Sequence, residues 1–420
     1  MAIRRWLLFL TIIFYLGIVL GSAFLVALSS TLIIIMGLSY WWQKHSLDGV
    51  IYKRRFFYTR AFPGEVYPVR IEIENRKLMP LSWLRVQDSW PEAVGPENEN
   101  ILAPSYKVDQ GLLTHLLSLR WYERTRRSYD LLYRKRGVYN VGPTRFDSGD
   151  LFGIYENSKR DQSIEELTVF PQLIPMEKLS LPAEDPFGDQ RSRRRLFEDP
   201  NRPMGVREYH PEDSFRRVHW PATARTGQIQ VKVYQPTSAR VMVLCLNVST
   251  YPRYWEGVYP ALLERLISVA ATLVDQAVGD GYRVGMISNG CLANSDQPFR
   301  IPPGRSPRQL TYLLRALAGV SPVVVSRFES YLLREIPRVS YGATLLILTA
   351  VTSLELGEVL LRLKKHERKI SLLSLAQEPP PSIPGLQCIH MPFEETDEGF
   401  LDHEMLKTAK GEALVESRSA

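Results

Sequence analysis

Val241-Met242-Val243-Leu244-Cys245-Leu246 is a run of six apolar residues without alternation. A strand buried on both faces of a sheet reads this way. Leu262, Leu263, Leu266, Val269, Ala270, Leu273 and Val274 follow at the spacing of an amphipathic helix. Strands are then predicted over 282–287, 345–348 and 370–375, with helices over 310–317, 328–336 and 356–363. Such alternation predicts a mostly parallel sheet covered by helices on both faces. Residues 239–392 therefore read as a doubly wound α/β domain, followed by a polar tail, 393–420.

Working upstream, residues 176–238 are rich in proline and carry the charge run Arg191, Arg193, Arg194 and Arg195. They read as a connecting segment lying over a surface. Residues 50–175 read as strands and turns. Val69, Ile71 and Ile73 alternate with Arg70, Glu72 and Glu74, as a half-buried strand requires. Pro63-Gly64, Gly142-Pro143 and Ser148-Gly149 are turn signals. Leu112 to Leu119 is the one stretch compatible with an amphipathic helix. A small β-sandwich or barrel is expected.

Trp6 to Gln43 contains no charged residue over 38 positions. As one helix this would be about 57 Å long, against a bilayer core of ~30 Å. Two helices with a turn near Gly17 to Ser22 fit better. A signal peptide would have an apolar region of only ~7–15 residues. Arg4 and Arg5 precede the stretch, and Lys44, Lys53, Arg54 and Arg55 follow it. Basic flanks mark cytoplasmic sides. Residues 1–44 are thus expected to form a transmembrane hairpin in the cell (inner) membrane, with both ends cytoplasmic and lipid contacted through residues 6–43.

Of 420 residues, 45% are hydrophobic and 23% charged, which excludes wholesale disorder. Cys245, Cys291 and Cys388 are too few, and odd in number, for a disulfide framework. The formal charge of +7 does not by itself argue for nucleic acid. Basic clusters at Arg124, Arg126, Arg127, Arg134, Lys135 and Arg136 suit anionic lipid or solvent equally, and no nucleic acid partner is expected. There is no G-x-x-x-x-G-K-[ST] loop and no G-x-S-x-G elbow. His366-Glu367 and His403-Glu404 lack the second histidine of a zinc helix, and Cys388 with His390 is a lone pair. No cofactor is expected.

The densest chemistry lies in residues 207–225. Arg207, Arg216, Arg217, Arg225 and the nearby Lys232 are cationic; Glu208, Glu212 and Asp213 are acidic; His210, His219, Tyr209 and Trp220 interleave them. One reading is a structural salt-bridge network, with Asp213 facing Arg216 and Trp220 plugging an apolar seam. The other is an anion site with Arg216, Arg217, Arg225 and Lys232 as donors and His219 titrating.

The pattern Arg207-x-Tyr209-x-Pro211-x-Asp213-x-x-Arg216-x-x-x-Trp220-x-x-x-Ala224-Arg225 resembles the hallmark of the bacterial family called domain of unknown function 58. Arg136-Gly137-Val138-Tyr139-x-x-Gly142-Pro143, Asp150-Leu151-Phe152-Gly153 and Thr168-Val169-Phe170-Pro171 resemble its earlier blocks. Glu212 stands where the family usually has Gly. The resemblance implies that the last domain is similar to a von Willebrand factor A domain. Such domains often hold a metal through Asp-x-Ser-x-Ser and a later Asp. Here Asn247, Ser249, Tyr251 and Thr349 occupy the corresponding region. Asn removes an anionic ligand and Tyr a compact hydroxyl, so a degenerate, metal-free site is expected. The resemblance also implies work beside a MoxR-type AAA+ ATPase in complex assembly or envelope processes. With no catalytic constellation, a non-enzymatic, membrane-anchored adaptor is expected. The alternative is an anion-binding receptor, or an enzyme, built on residues 207–225.

Overall fold

The computed structural model describes residues 2–150, 156–179, 197–211, 213–237, 241–293 and 295–393. It resolves two compact units, Met1–Lys135 with Tyr139–Val169, and Arg136–Val138 with Phe170–Ala420.

The first unit opens with helices α1 (Ala2–Val19) and α2 (Ala23–Ser46), packed on one another across a tight turn where Gly21 has φ +65°. A Cβ on Gly17 would lie 3.1 Å from Leu25 Cβ and from Val26 Cγ2, so glycine permits the close approach. Thr11, Ser29 and Thr31 return their hydroxyls to carbonyls four residues back, which satisfies these donors within their own helices. Among the described residues only α2 is long and apolar enough to cross a membrane, which alone is weak evidence of an anchor. The apolar part of α1, Trp6–Val19, is shorter, about 21 Å, so of the two short spans expected only α2 reaches the length and apolarity of a span.

The rest of this unit is β-rich. Strands β1 (Val50–Phe56), β2 (Arg60–Ala61), β3 (Val66–Asn75), β4 (Leu81–Pro91), β5 (Val94–Pro96), β6 (Leu102–Pro104), β7 (Gln110–Leu119), β8 (Arg124–Tyr133), β9 (Gly137–Val141), β10 (Thr144–Gly149), β11 (Glu156–Asp161) and β12 (Glu165–Val169) follow in order. They form sheets β1-β3-β8-β5, β11-β10-β4-β7-β6 and a small β2-β12-β9. Val69, Ile71 and Ile73 of β3 share one core with Leu84, Val86 and Trp90 of β4 and Leu113 of β7. The stretch 112–119 is strand, not helix: Gly111, Leu113, His115 and Leu119 point inward while Leu116 is exposed.

In the second unit, the segment expected to be irregular contains an antiparallel ribbon of β13 (Phe197–Glu208) and β14 (Gln230–Thr237), with α3 (Trp220–Thr226) between them. Pro200 and Pro203 are tolerated because a two-stranded ribbon has only edge strands. The Arg191–Arg195 run and Glu212 lie outside the described residues, as do Leu151–Gly153 and the tail beyond 393.

The main sheet comprises β15 (Val241–Leu246), β16 (Arg283–Leu292), β17 (Pro298–Gly304), β18 (Val320–Val324), β19 (Thr344–Thr349), β20 (Lys369–Ser374) and β21 (Gln387–His390). Its order is β17-β16-β15-β19-β20-β21, with β18 also on β16. β16, β15, β19, β20 and β21 are parallel; β17 and β18 run antiparallel to β16. Helices α6 (Phe328–Glu335) and α7 (Leu354–Lys365) pack on the face carrying Val243, Cys245 and Ile347. Met242, Leu244 and Leu246 alternate with these and are equally buried, and α4 (Pro260–Gly279) packs on β15, β16, β19 and α5 (Gln309–Ala318). From β15 the chain moves to β16 on one side, then returns to β19 on the other, so the winding direction reverses between β15 and β19.

Candidate functional site

Open α/β sheets bind ligands beyond the carboxyl ends of their strands, where the winding reverses. Here β15 runs into Asn247, Val248 and Ser249, and β19 ends at Thr349. Asn247 Nδ2 donates to Thr349 Oγ1 at 3.0 Å. Asn247 Oδ1 accepts from Ser249 N and Asn289 Nδ2, each at 3.1 Å. Asn289 Nδ2 also reaches Ser249 Oγ at 3.3 Å, and its Oδ1 accepts from Val248 N at 2.9 Å. Thr349 Oγ1 donates to Val351 O at 2.8 Å and accepts from Val351 N at 3.0 Å. Asn247, Asn289 and Thr349 are all nearly inaccessible. The sequence thus identified three members of this cluster and missed Asn289, whose strand β16 carries no motif.

A cavity of about 270 Å³ opens beside the cluster, lined by Asn247, Ser249 and Tyr251, with Arg253, Tyr254 and Trp255 along the rim. Across it Ser353 Oγ donates to Glu329 Oε1 at 2.7 Å while capping α7 through Leu356 N. Arg327 pairs with Glu355 at 3.1 Å, both half-exposed. Tyr251 lines the cavity rather than joining the hydrogen-bonded cluster; Trp255 is 62% exposed. No group of three or more His, Cys, Asp or Glu that could hold a metal occurs among the described residues. The polar groups of the Asn247, Ser249, Asn289 and Thr349 cluster are neutral and bonded to one another, and the carboxylates of Glu329 and Glu355 are engaged. The site can recognise a shape with hydrogen-bonding groups.

The signature segment is elsewhere in this unit and more open than expected. Arg207 grips Asp213 through both terminal nitrogens at 2.7 and 2.6 Å, so the partner of Asp213 is Arg207, not Arg216. That hydrogen bonding, with help from His210 N at 2.9 Å, holds the Asp213 carboxyl below its usual range. Tyr209 packs on Phe215 with ring centres 5.6 Å apart. His219 Nδ1 accepts from Ala222 N at 3.0 Å and caps α3, which fixes its tautomer for a structural task. Trp220, expected to plug a seam, is 65% exposed on α3. Arg216 and Arg225 are exposed and make no ion pair among the described residues; Lys232 is half-buried on β14 opposite Val206.

The upstream basic cluster disperses into structural contacts. Arg124 pairs with Glu74, Arg126 with Glu72, and Arg134 donates to the carbonyls of Glu92 and Pro96. Arg136 is buried. It grips Glu264 of α4 at 2.8 and 2.5 Å and donates to the carbonyls of Leu317, Ala318 and Val320. Its role in the family-like block is therefore to tie α4 to the end of α5.

A sequence model of the family described as "Protein of unknown function DUF58" matches residues 205–340. The chain is also similar to the uncharacterized protein YeaD of Bacillus subtilis (strain 168), with 23% identity over 251 residues covering 58% of each chain. It thus spans somewhat over half the length of that relative. Both findings support the DUF58 family. Similar solved structures include the CARDB domain of the PF1109 protein from Pyrococcus furiosus, with 9% identity, 29% of this chain, 89% of that one and a TM-score of 0.19. Another is the sporulation control protein Spo0M of Bacillus subtilis, with 13% identity, 29% of this chain, 49% of that one and a TM-score of 0.18. Likenesses at this level carry no argument about function.

Proposed function

We propose that, as a protein of the DUF58 kind, this chain is a non-enzymatic, membrane-anchored adaptor. Its second unit is read as a von Willebrand A-like domain that presents the cavity at the carboxyl ends of β15 and β19 to a cytoplasmic protein partner. The observation carrying this reading is the cluster of Asn247, Ser249, Asn289 and Thr349, which is closed by its own hydrogen bonds beside an exposed aromatic rim. Interfaces draw on such aromatic and arginine side chains. The anchor is read as α1 and α2, with basic residues at both ends keeping both termini cytoplasmic; the large exposed apolar side chains of α2, such as Phe24, Ile34 and Leu38, support it. The family resemblance makes a MoxR-type AAA+ ATPase the partner to test.

The test is binding of a purified ATPase of that type to the detergent-solubilised chain. Trp255→Ser and Arg253→Glu should abolish binding without moving the melting temperature. Binding that survives both changes refutes the assignment of the surface. A reporter fused after residue 45 that is active only in the periplasm refutes the topology.

A second reading is favoured by one observation, the exposure of Arg216 and Arg225 without ion pairs among the described residues. It makes residues 207–225 a receptor for an anionic group. Titration with phosphate and carboxylate ligands, with Arg216→Gln as control, separates the two.

A further inference from the structure

β1 begins at Val50, four positions after α2 ends at Ser46, so the strand ends around Val50 form the helix-proximal end of the sandwich. Val50 pairs with Asn75 at the end of β3, Glu74 with Arg124 at the start of β8, and Leu81 at the start of β4 with Leu119 at the end of β7. The turns 76–80 and 120–123 therefore lie at that same end.

They are fastened to each other and to the helix. Asn75 Nδ2 donates to the carbonyls of Met79 and Arg120, each at 2.9 Å. Tyr122 N donates to Lys77 O at 3.2 Å. Lys77 Nζ donates to His45 O at 2.6 Å and to Ser46 O, capping the end of α2. Gln43 exchanges hydrogen bonds with Glu156 O at 2.6 Å and Asn157 Nδ2 at 3.1 Å. The helix enters the sandwich without slack.

Both turns carry bare apolar side chains: Leu78 is 73% exposed, Trp121 65% and Tyr122 62%. Tyr122 also holds φ +51°, which non-glycine residues rarely adopt. Tyr40 and Trp41 of α2 are exposed on the same approach. Trp and Tyr settle at the headgroup level of a bilayer, and Trp41 is about 7.5 Å along the helix axis from Ser46. The charges nearby are mixed. Lys44, Arg76, Arg120 and Arg124 stand beside Asp48, Glu74 and Glu123, with Glu74 paired to both Arg76 and Arg124.

We propose that the turns 76–80 and 120–123 make a second membrane contact, with Leu78, Trp121 and Tyr122 seated in the headgroup–acyl boundary of the leaflet from which α2 emerges. The contact rests on the reading of α2 as a membrane span. It turns a tether into a two-point mount that fixes the orientation of the sandwich on the lipid surface.

The test uses the full chain carrying Cys388→Ser, since Cys245 and Cys291 are buried. Single cysteines are placed by Ile34→Cys, Leu78→Cys, Trp121→Cys or Tyr106→Cys and labelled with an environment-sensitive fluorophore. Tyr106 lies before the start of β7, so a ten-residue strand separates it from the two turns, roughly 33 Å. Each protein is reconstituted in phosphatidylethanolamine–phosphatidylglycerol vesicles with nitroxides at the headgroup or deep in the acyl chain. The label at 34 should be quenched by the deep nitroxide. Labels at 78 and 121 should shift to the blue and lose most of their emission to the shallow nitroxide, while the label at 106 stays bright. If 34 is quenched but 78 and 121 behave like 106, the second contact is refuted and the span stands. If 34 escapes both nitroxides, α2 does not span and the contact built on it falls as well.

Discussion

Replacing Asp88 with Asn should destabilise the sandwich by about 3–5 kcal/mol, because it removes one partner of a fully buried ion pair. Asp88 and the Arg54 side chain are almost completely inaccessible. Arg54 Nε and Nη2 reach the two carboxylate oxygens at 2.8 and 2.7 Å. Tyr52 OH at 2.7 Å, Trp90 Nε1 at 2.8 Å and Thr144 Oγ1 at 2.9 Å complete the shell. The carboxylate thus accepts from β1, β4 and β10, strands of both main sheets. The Asn variant keeps the shape but leaves the guanidinium with only Glu165, 3.9 Å away, as a distant counter-charge. Its amide nitrogen also brings hydrogens towards groups that already donate.

The double change Arg54→Met with Asp88→Leu discriminates between causes. It removes both charges, so the unpaired-charge penalty disappears. Tyr52, Trp90 and Thr144 would still lose their acceptor, at about 1–3 kcal/mol for each buried unsatisfied group. The double variant should therefore recover part of the stability lost in Asp88→Asn, and not all of it. With two units in the chain, a single melting curve can mix transitions. Native-state hydrogen exchange of β3 and β4 amides reads the sandwich directly. Exchange in Asp88→Asn within 1 kcal/mol of the parent would refute the view that this pair is the hub of the sandwich.

Four further outcomes are expected. His115 is buried, and desolvation first, then Arg127, lowers its pKa to about 4; from an unfolded value near 6.5, stability should fall by about 3 kcal/mol as pH drops from 6.5 to 4, and His115→Asn should flatten that slope. Arg136→Lys should destabilise the α/β unit by about 3 kcal/mol, because an ammonium cannot match the two-pronged grip on Glu264 and three carbonyls, and chemical denaturation checks it. Trp220→Ala should change stability by less than ~0.5 kcal/mol, since the indole is exposed; unchanged melting with lost partner binding would move the signature segment to the functional surface. Millimolar Mg²⁺ or chelator should leave the melting temperature unchanged, and a rise of several degrees would mean that other residues complete a metal site.

What could be read from the sequence was whatever periodicity encodes. The run at 241–246 and the helical spacing from Leu262 to Val274 gave strand and helix because burial on two faces, or on one stripe, leaves no other pattern. The leucines of 112–119 misled because Leu112, half-buried, and Leu116, exposed, occupy the outer face of β7, and nothing in the spacing separates them from the inward Leu113 and Leu119. The β13–β14 ribbon was hidden by Pro200 and Pro203, which argue against strand anywhere but an edge. At the site, Asn247, Ser249 and Thr349 were found through the resemblance. Asn289, Glu329 and Ser353 are brought in by β16, α6 and α7, at distances in sequence that no local pattern spans. Opposite signs of charge between 207 and 225 were visible, but not that the arginines would stay on the surface.

The identity of residue 247 decides what the edge of the sheet can do. Its Oδ1 accepts from the Ser249 backbone and from Asn289, so its other group faces Thr349 Oγ1 and has to be a donor. The Thr349 hydroxyl gives its own proton to Val351 O and accepts from both Asn247 Nδ2 and Val351 N. An aspartate at 247 would present an acceptor to Thr349, and the hydroxyl would have to turn its proton from Val351 O to the carboxylate. It would also place a charge beneath buried neutral groups, which is costly unless a cation compensates it. Asn therefore closes the proton inventory that an acid would leave open. The edge becomes a rigid neutral floor for whatever Tyr254 and Trp255 contact above it.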